Sequence, residues 1–369
     1  MGRALAAVVA ALVVAAPAAA GPPQVTARAY YLENGATGET LAATHARAKL
    51  PIASITKLMT VLVALEHARP DEIVVAPPAA AAVGESTIGL RAGERISVRD
   101  LVEAALVQSA NDAAWALASY VGHGDVDRFV AAMNAKARAL GLRDTHFVRP
   151  DGLDVAGHVS SARDVTLLAR VAMQNGAIRS VVDDRTATIA GGRRLHTWND
   201  LLGTFPGVIG VKTGHTSAAG WSQVAAVRGT GFVLYGTILG SPTRSTRNAD
   251  LTALLRWGLS RYVVADVVDP ARVYARASVG YGKRPVDVVA RTRVRRSLRV
   301  DHALRERVVA PLALALPVRA GQRVGEVAVY DGARLVGRST LVAARTVERP
   351  SLAARLAWYT RRAAERLVP

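Results

Sequence analysis

The feature that most constrains this chain is the stretch Pro51-Ile-Ala-Ser54-Ile-Thr-Lys57-Leu-Met-Thr60, which runs on into Val61-Leu-Val-Ala-Leu65. Proline at the front and helix formers behind it predict a helix starting near Ala53. Residues three apart share a helix face, so the Lys57 amine reaches the Ser54 hydroxyl. A serine needs a neighbouring base to become a nucleophile, and a lysine serves if burial and nearby cations lower its pKa. The helix N-terminus adds positive potential for a developing oxyanion. Of 47 basic residues only Lys49, Lys57, Lys136, Lys212 and Lys283 are lysines. A chain that uses arginine almost everywhere keeps lysine at Ser+3, where an arginine could not give up its proton.

At 369 residues, half of them hydrophobic, the chain is expected to form two domains. It has no cysteine, which excludes disulfides and thiolate metal sites and is neutral about compartment. A net charge of +18 points to a polyanionic neighbourhood: nucleic acid, anionic lipid or cell wall. Aromatics are few and no nucleic-acid motif occurs, so no nucleic-acid partner is expected. Arg3, the apolar run from Ala4 to Ala16 and Ala18-Ala19-Ala20 before Gly21 read as a leader for export, too short to span a membrane.

Further along, the alternation from Val25 to Leu41, broken at Asn34-Gly35 and Gly38, reads as a hairpin leading into the Ser54 helix. Ser97 caps a second helix that ends at Gln108-Ser109-Ala110-Asn111-Asp112, and Ala113 to Val121 forms another. Asp127 to Leu140 is a helix stopped by Gly141, and Ser160-Ser-Ala-Arg-Asp164 caps one running to about Met173. Leu201 to Thr216, Ser222 to Arg228 and Gly231 to Leu239 read as strands, before a helix from about Asn248 to Leu259. Helices flanked by strands predict an α/β domain with a largely antiparallel sheet.

After about Val264 the texture becomes short β-type runs separated by glycine turns: Arg272–Val279, Pro285–Val294, Leu312–Val318, Glu326–Tyr330 and Ser339–Ala344. The tail carries Leu352, Leu356, Tyr359, Ala363 and Leu367 on one helical stripe and Arg355, Arg362 and Arg366 on another. That pattern fits a helix lying on an anionic membrane surface and equally a terminal helix packed on its own domain. The expected organisation is a leader (1–20), an α/β domain (21–263), an all-β domain (264–348) and a basic amphipathic helix (349–369).

Two further motifs join Ser54-x-x-Lys57: Ser109-Ala-Asn111 and Lys212-Thr213-Gly214, in the order and structural context of penicillin-binding proteins and class A β-lactamases. With Asp151-Gly-Leu153 and Pro206-Gly-Val-Ile-Gly-Val-Lys-Thr-Gly-His-Thr216, the chain from about 25 to 260 resembles the serine-type D-alanyl-D-alanine carboxypeptidases of low molecular mass. The resemblance implies the β-lactamase/DD-peptidase fold, with helices around an antiparallel sheet. It implies removal of the terminal D-alanine from peptidoglycan stem peptides and covalent capture of β-lactams. It also implies a small all-β domain and an amphipathic C-terminal anchor on the membrane.

Carried onto this sequence, the resemblance makes Ser54 the acylated nucleophile, Lys57 its base and Ser109 the relay to the leaving amine. Asn111 would hold Lys57 and the substrate amide, and Lys212 would keep the site electropositive. Thr213 and Arg247 would bind the substrate carboxylate, with Arg244 as a competitor for the latter role. Gly214 completes the strand motif, and the N–H groups of Ser54 and His215 would form an oxyanion hole. No zinc-binding pattern or G-x-S-x-G elbow occurs, so no cofactor is expected. A class A-like β-lactamase would need a second base, and Val148 to Ser160 offers Asp151 and Asp154 but no glutamate. An endopeptidase would use the same motifs, and a catalytically silent wall-binding protein would not need all of them.

Overall fold

The computed structural model describes residues 5–12 and 21–365, which divide into two compact units. Arg3, the Ala18–Ala20 cleavage signal, and Arg366 and Leu367 of the tail stripe lie outside the described residues. One unit is Gly21–Ser260; the other gathers Arg261 onward and takes in the N-terminal strand β1 (Leu5–Leu12).

In the first unit β2 (Ala29–Asn34) and β3 (Glu39–Thr44) form the expected hairpin, closed where the Gly38 N–H donates to the Asn34 carbonyl. The helix expected from Ala53 begins as a 3₁₀ turn over Ala53–Thr56 and becomes α1 at Lys57–His67. Every side chain of α1 from Lys57 to Ala64 is buried. A helix apolar all round is stable only when other elements enclose it. Here it is surrounded by the rest of one core that takes in Leu101, Leu117, Phe129, Val165 and Val224.

The enclosing elements are a small hairpin of β4 (Ile73–Val75) and β5 (Arg95–Ser97), with α2 (Pro78–Ala81) between them, followed by α3 (Val98–Glu103), α4 (Asn111–Val121), α5 (Val126–Ala139), α6 (Ala162–Ala172) and α7 (Gly176–Arg179). Ser97 caps α3 by accepting from the Asp100 N–H, as expected. The helix expected to run to Val107 instead widens into a π turn over Ala104–Gln108 and stops at Ser109 in the left-handed conformation. The cap of α6 is Ser161 rather than Ser160, because the Ser161 hydroxyl accepts the Asp164 N–H while Ser160 bonds Thr145.

A hairpin of β6 (Thr186–Ile189) and β7 (Arg193–His196) precedes the three long strands β8 (Val208–Thr216), β9 (Gly220–Gly229) and β10 (Phe232–Ser241). The expected strand over Leu201–Thr216 starts only at Val208, since residues 201–207 turn. The sheet is antiparallel in the order β3-β2-β10-β9-β8, which leaves β8 at its edge. Helix α8 (Arg244–Ser260) packs on β10 and starts four residues earlier than the apolar pattern indicates.

The second unit is all-β, with strands β11 (Tyr262–Val268), β12 (Val273–Val279), β13 (Val286–Ala290), β14 (Val294–Arg299), β15 (Leu304–Pro311), β16 (Ala313–Leu314), β17 (Arg323–Asp331) and β18 (Arg334–Ala343). Three of these, β11, β14 and β15, are missing from the sequence-based list. In β14 and β15 the charged residues Arg295, Arg296, Arg305, Glu306 and Arg307 interrupt the apolar pattern and hide the strand signal. The expected strand over Leu312–Val318 shrinks to two residues. The segment Leu5–Leu12, read from sequence as leader, pairs antiparallel with β15, Leu5 opposite Pro311. Helix α9 (Leu352–Glu365) closes the described chain. Its Trp358 meets Tyr281, ring centroids 5.5 Å apart, and Leu352, Leu356 and Tyr359 are exposed. No helix among the described residues is long and apolar enough to cross a membrane.

Candidate active site

Ser54 sits in the 3₁₀ turn just before α1, one residue after Ala53, whose φ of 49° is unusual for a residue with a side chain. Thr56 in the same turn is tied by its Oγ1 to His158 Nε2 at 2.8 Å. The Val148 N–H donates to His158 Nδ1, so the proton sits on Nε2, and burial pushes the imidazole pKa down to about 4. This histidine is a neutral brace for the turn.

Lys57 is fully buried, and its Nζ has three partners: Ser54 Oγ at 2.7 Å, Asn111 Oδ1 at 2.6 Å and the Asp151 carbonyl at 2.9 Å. The two carbonyl oxygens only accept, whereas a hydroxyl both donates and accepts. A neutral amine has two N–H donors and one lone pair. The two carbonyls take the donors, and the lone pair is left for the Ser54 hydroxyl. Burial brings the amine pKa down to about 7, against the upward pull of Asp151, Glu85 and Asp112 and with help from Arg149. Lys212, whose own amine feels the Lys57 charge, is a second cation that disfavours a proton here.

Lys212 is also buried, donates to Ser109 Oγ at 2.7 Å and to the Thr213 carbonyl at 3.0 Å, and is itself pushed well below the usual lysine range by burial, Lys57 and Arg247. Two amines so close and so dry cannot both hold a proton cheaply. Ser109, with φ of 67°, stands between the α3 end and the α4 start and faces Lys212. Asn111, at the head of α4, spends its amide N–H on the Gly84 carbonyl, so its oxygen is fixed toward Lys57.

Strand β8 brings Lys212, Thr213, Gly214 and His215 beside the Ser54 turn. Gly214 is required there: a Cβ would lie 2.6 Å from the Ile52 carbonyl. As an edge strand, β8 has alternate backbone N–H and C=O groups unclaimed by the sheet. The His215 ring stacks on Trp221, centroids 4.0 Å apart.

The cleft holding these groups has a volume of about 220 Å³ and is lined by Ser54, Ser109, Asn111, Thr213, Gly214, His215 and Arg247. That size suits the end of a peptide. Arg247 is buried, with Nη2 on Asp200 at 3.0 Å and Nε on Asn248 at 3.0 Å, and lies 5.8 Å over Trp221. Burial lowers its pKa to about 10 against the pull of Asp200, so it stays charged. Its competitor Arg244 grips Asp200 with both nitrogens, stacks on Trp198 and does not line the cleft. The cleft is completed by Glu85, Ser86, Trp198 and Trp221, none of which carries a local sequence signal.

The two carboxylates between Val148 and Ser160 are both occupied. Asp151 accepts from Trp115, Arg149 and the Leu153 N–H, and Asp154 accepts from Thr216 and the Ala218 N–H.

Comparison with known proteins identifies the family. Residues 16–243 match the family described as D-alanyl-D-alanine carboxypeptidase, peptidase family S11. The chain is 32% identical over 354 residues to the Escherichia coli K12 D-alanyl-D-alanine carboxypeptidase DacD, covering 92% of this chain and 91% of that one. Among solved structures, penicillin-binding protein 5 from Haemophilus influenzae superposes with a TM-score of 0.66 at 26% identity, over 89% of this chain and all of that one. The Streptomyces K15 DD-transpeptidase superposes with a TM-score of 0.62 at 32% identity, over 65% of this chain and all of that one. The chain belongs to the D-alanyl-D-alanine carboxypeptidase family, the serine hydrolases of peptidase family S11.

Proposed function

We propose that this carboxypeptidase removes the terminal D-alanine from peptidoglycan stem pentapeptides through an acyl-enzyme on Ser54. The observation that carries the reading is the three-partner arrangement of Lys57, which leaves its lone pair to the Ser54 hydroxyl. Ser54 attacks the carbonyl of the penultimate D-alanine while Lys57 takes its proton. The oxyanion rests on the N–H groups of Ser54 and His215. Ser109, hydrogen-bonded to Lys212, relays the proton taken up by Lys57 to the departing D-alanine amine, whose carboxylate is held by Thr213 and the charged fork of Arg247. Water then hydrolyses the ester and frees Ser54.

A β-lactam enters by the same attack and acylates the same serine. Asp151 and Asp154 are both committed to hydrogen bonds, so neither serves as the second base of a β-lactamase-like turnover. The N-terminal twenty residues act as an export leader, and the enzyme works on the outer face of the cytoplasmic membrane. The exposed Leu352, Leu356 and Tyr359, beside the tail arginines, support adsorption of α9 to anionic lipid. Release of free D-alanine from diacyl-Lys-D-Ala-D-Ala is the test. We expect it from the wild-type enzyme and not from Ser54→Ala; equal release by both would overturn the reading.

A further inference from the structure

We propose that Asp151, clamped by Trp115 and Arg149, is a positioning residue for the general base, holding its own carbonyl on Lys57 and setting the charge that Lys57 feels. The inference rests on the acyl-enzyme reading above and extends it to residues outside the three motifs.

The Asp151 side chain has no exposed surface, yet both oxygens are satisfied. Oδ2 accepts from Trp115 Nε1 at 2.6 Å and Arg149 Nη2 at 2.8 Å; Oδ1 accepts from Arg149 Nε at 2.5 Å and the Leu153 N–H at 3.1 Å. Trp115 lies one turn beyond Asn111 on α4, so the carboxylate is bolted to the helix that supplies the other carbonyl for Lys57. The clamp therefore fixes both acceptors of the amine to one rigid body. Gly152, next in the chain, allows the close approach: with φ of 86°, a Cβ there would lie 2.1 Å from the Ala53 carbonyl. A carbonyl displaced from Lys57 would free one N–H, and the lone pair would no longer be reserved for Ser54.

The charged groups around Lys57 are Asp151 and Arg149 on this loop, Glu85 across the cleft, Asp112 on α4 and Lys212 on β8. Asp112 is committed to the Ile88 and Leu90 N–H groups. Burial resists ionisation of Asp151, but the Arg149 fork and the Lys57 charge hold it below the ordinary carboxylate range. Asp151 and Arg149 pull the Lys57 amine in opposite directions, up and down respectively.

The test is the second-order rate of benzylpenicillin acylation from pH 5 to 10 for wild type, Asp151→Asn, Arg149→Gln and Trp115→Phe, with melting temperatures for each. Asp151→Asn removes the charge and keeps an acceptor, so the acidic midpoint moves down by about 1 pH unit. Arg149→Gln moves it up. Trp115→Phe keeps the charge and loosens the clamp, so the plateau falls about tenfold with the midpoint in place. If Asp151→Asn does not fold, the Arg149 and Trp115 variants still give their separate signatures. Variants that acylate with the wild-type midpoint and plateau would overturn the proposal while leaving the acyl-enzyme reading intact. A wild-type enzyme that is never acylated would instead overturn the acyl-enzyme reading.

Discussion

At the scale of single residues, the chemistry turns on one amine in an apolar place. Lys57 has no exposed surface, and its folded pKa of about 7 lies well below the usual lysine value. Above both values neither state carries the charge and stability is unaffected. As pH falls toward 7 the unfolded chain takes up a proton that the folded chain refuses, so folding weakens, and below 7 the penalty is constant. Lys57→Met strands the Asn111 and Asp151 carbonyls at every pH, but its stability relative to wild type is expected to rise by a few kcal/mol as pH falls from 10 to 7. Melting curves across that range check it. The same burial makes acylation by benzylpenicillin rise with pH through a midpoint near 7, since only the neutral amine accepts a proton; a rate independent of pH from 5 to 9 would contradict the assignment of Lys57 as base.

Arg247 tests the other end of the substrate. Arg247→Gln is expected to raise KM for carboxylate-ended peptides about 10- to 100-fold, the worth of one charge-assisted hydrogen-bonded pair. Asp200→Asn, which loosens Arg247 without removing it, is expected to do less; steady-state kinetics on both variants decides.

At the scale of elements, the site is the meeting of the Ser54 turn, the α3–α4 junction and the edge strand β8. Gly214→Ala would push a methyl to 2.6 Å from the Ile52 carbonyl and force strand and turn apart. It is expected to lower stability by about 1–3 kcal/mol and acylation by at least about tenfold, read by denaturant titration and fluorescent-penicillin labelling. The sequence revealed these elements unevenly. Ser54 and Lys57 are visible because helical spacing alone puts them together. Ser109, Asn111 and Lys212 are visible because their motifs recur in a fixed order. Arg149, Trp115, Asp200 and Trp198 reach the site only through tertiary folding, and nothing local marks them. The π turn that ends at Ser109 is equally hidden, since its apolar run reads as ordinary helix.

At the scale of the whole molecule, a basic chain of net charge +18 presents α9 with Trp358 and Tyr359 against Tyr281 of its own β domain and with Leu352 and Leu356 exposed. The two readings of the tail, packed or membrane-bound, thus use different faces of one helix. Truncation after Pro350 is expected to abolish sedimentation with anionic vesicles while D-alanine release continues; unchanged sedimentation would remove α9 from the account.

The central claim is a covalent intermediate on Ser54, and intact-mass analysis of the purified enzyme with benzylpenicillin tests it most directly. A stable one-to-one adduct that maps to the peptide containing Ser54, and is absent from Ser54→Ala, is the expected result. An adduct on another residue, or complete drug hydrolysis with no adduct at any time, would contradict it.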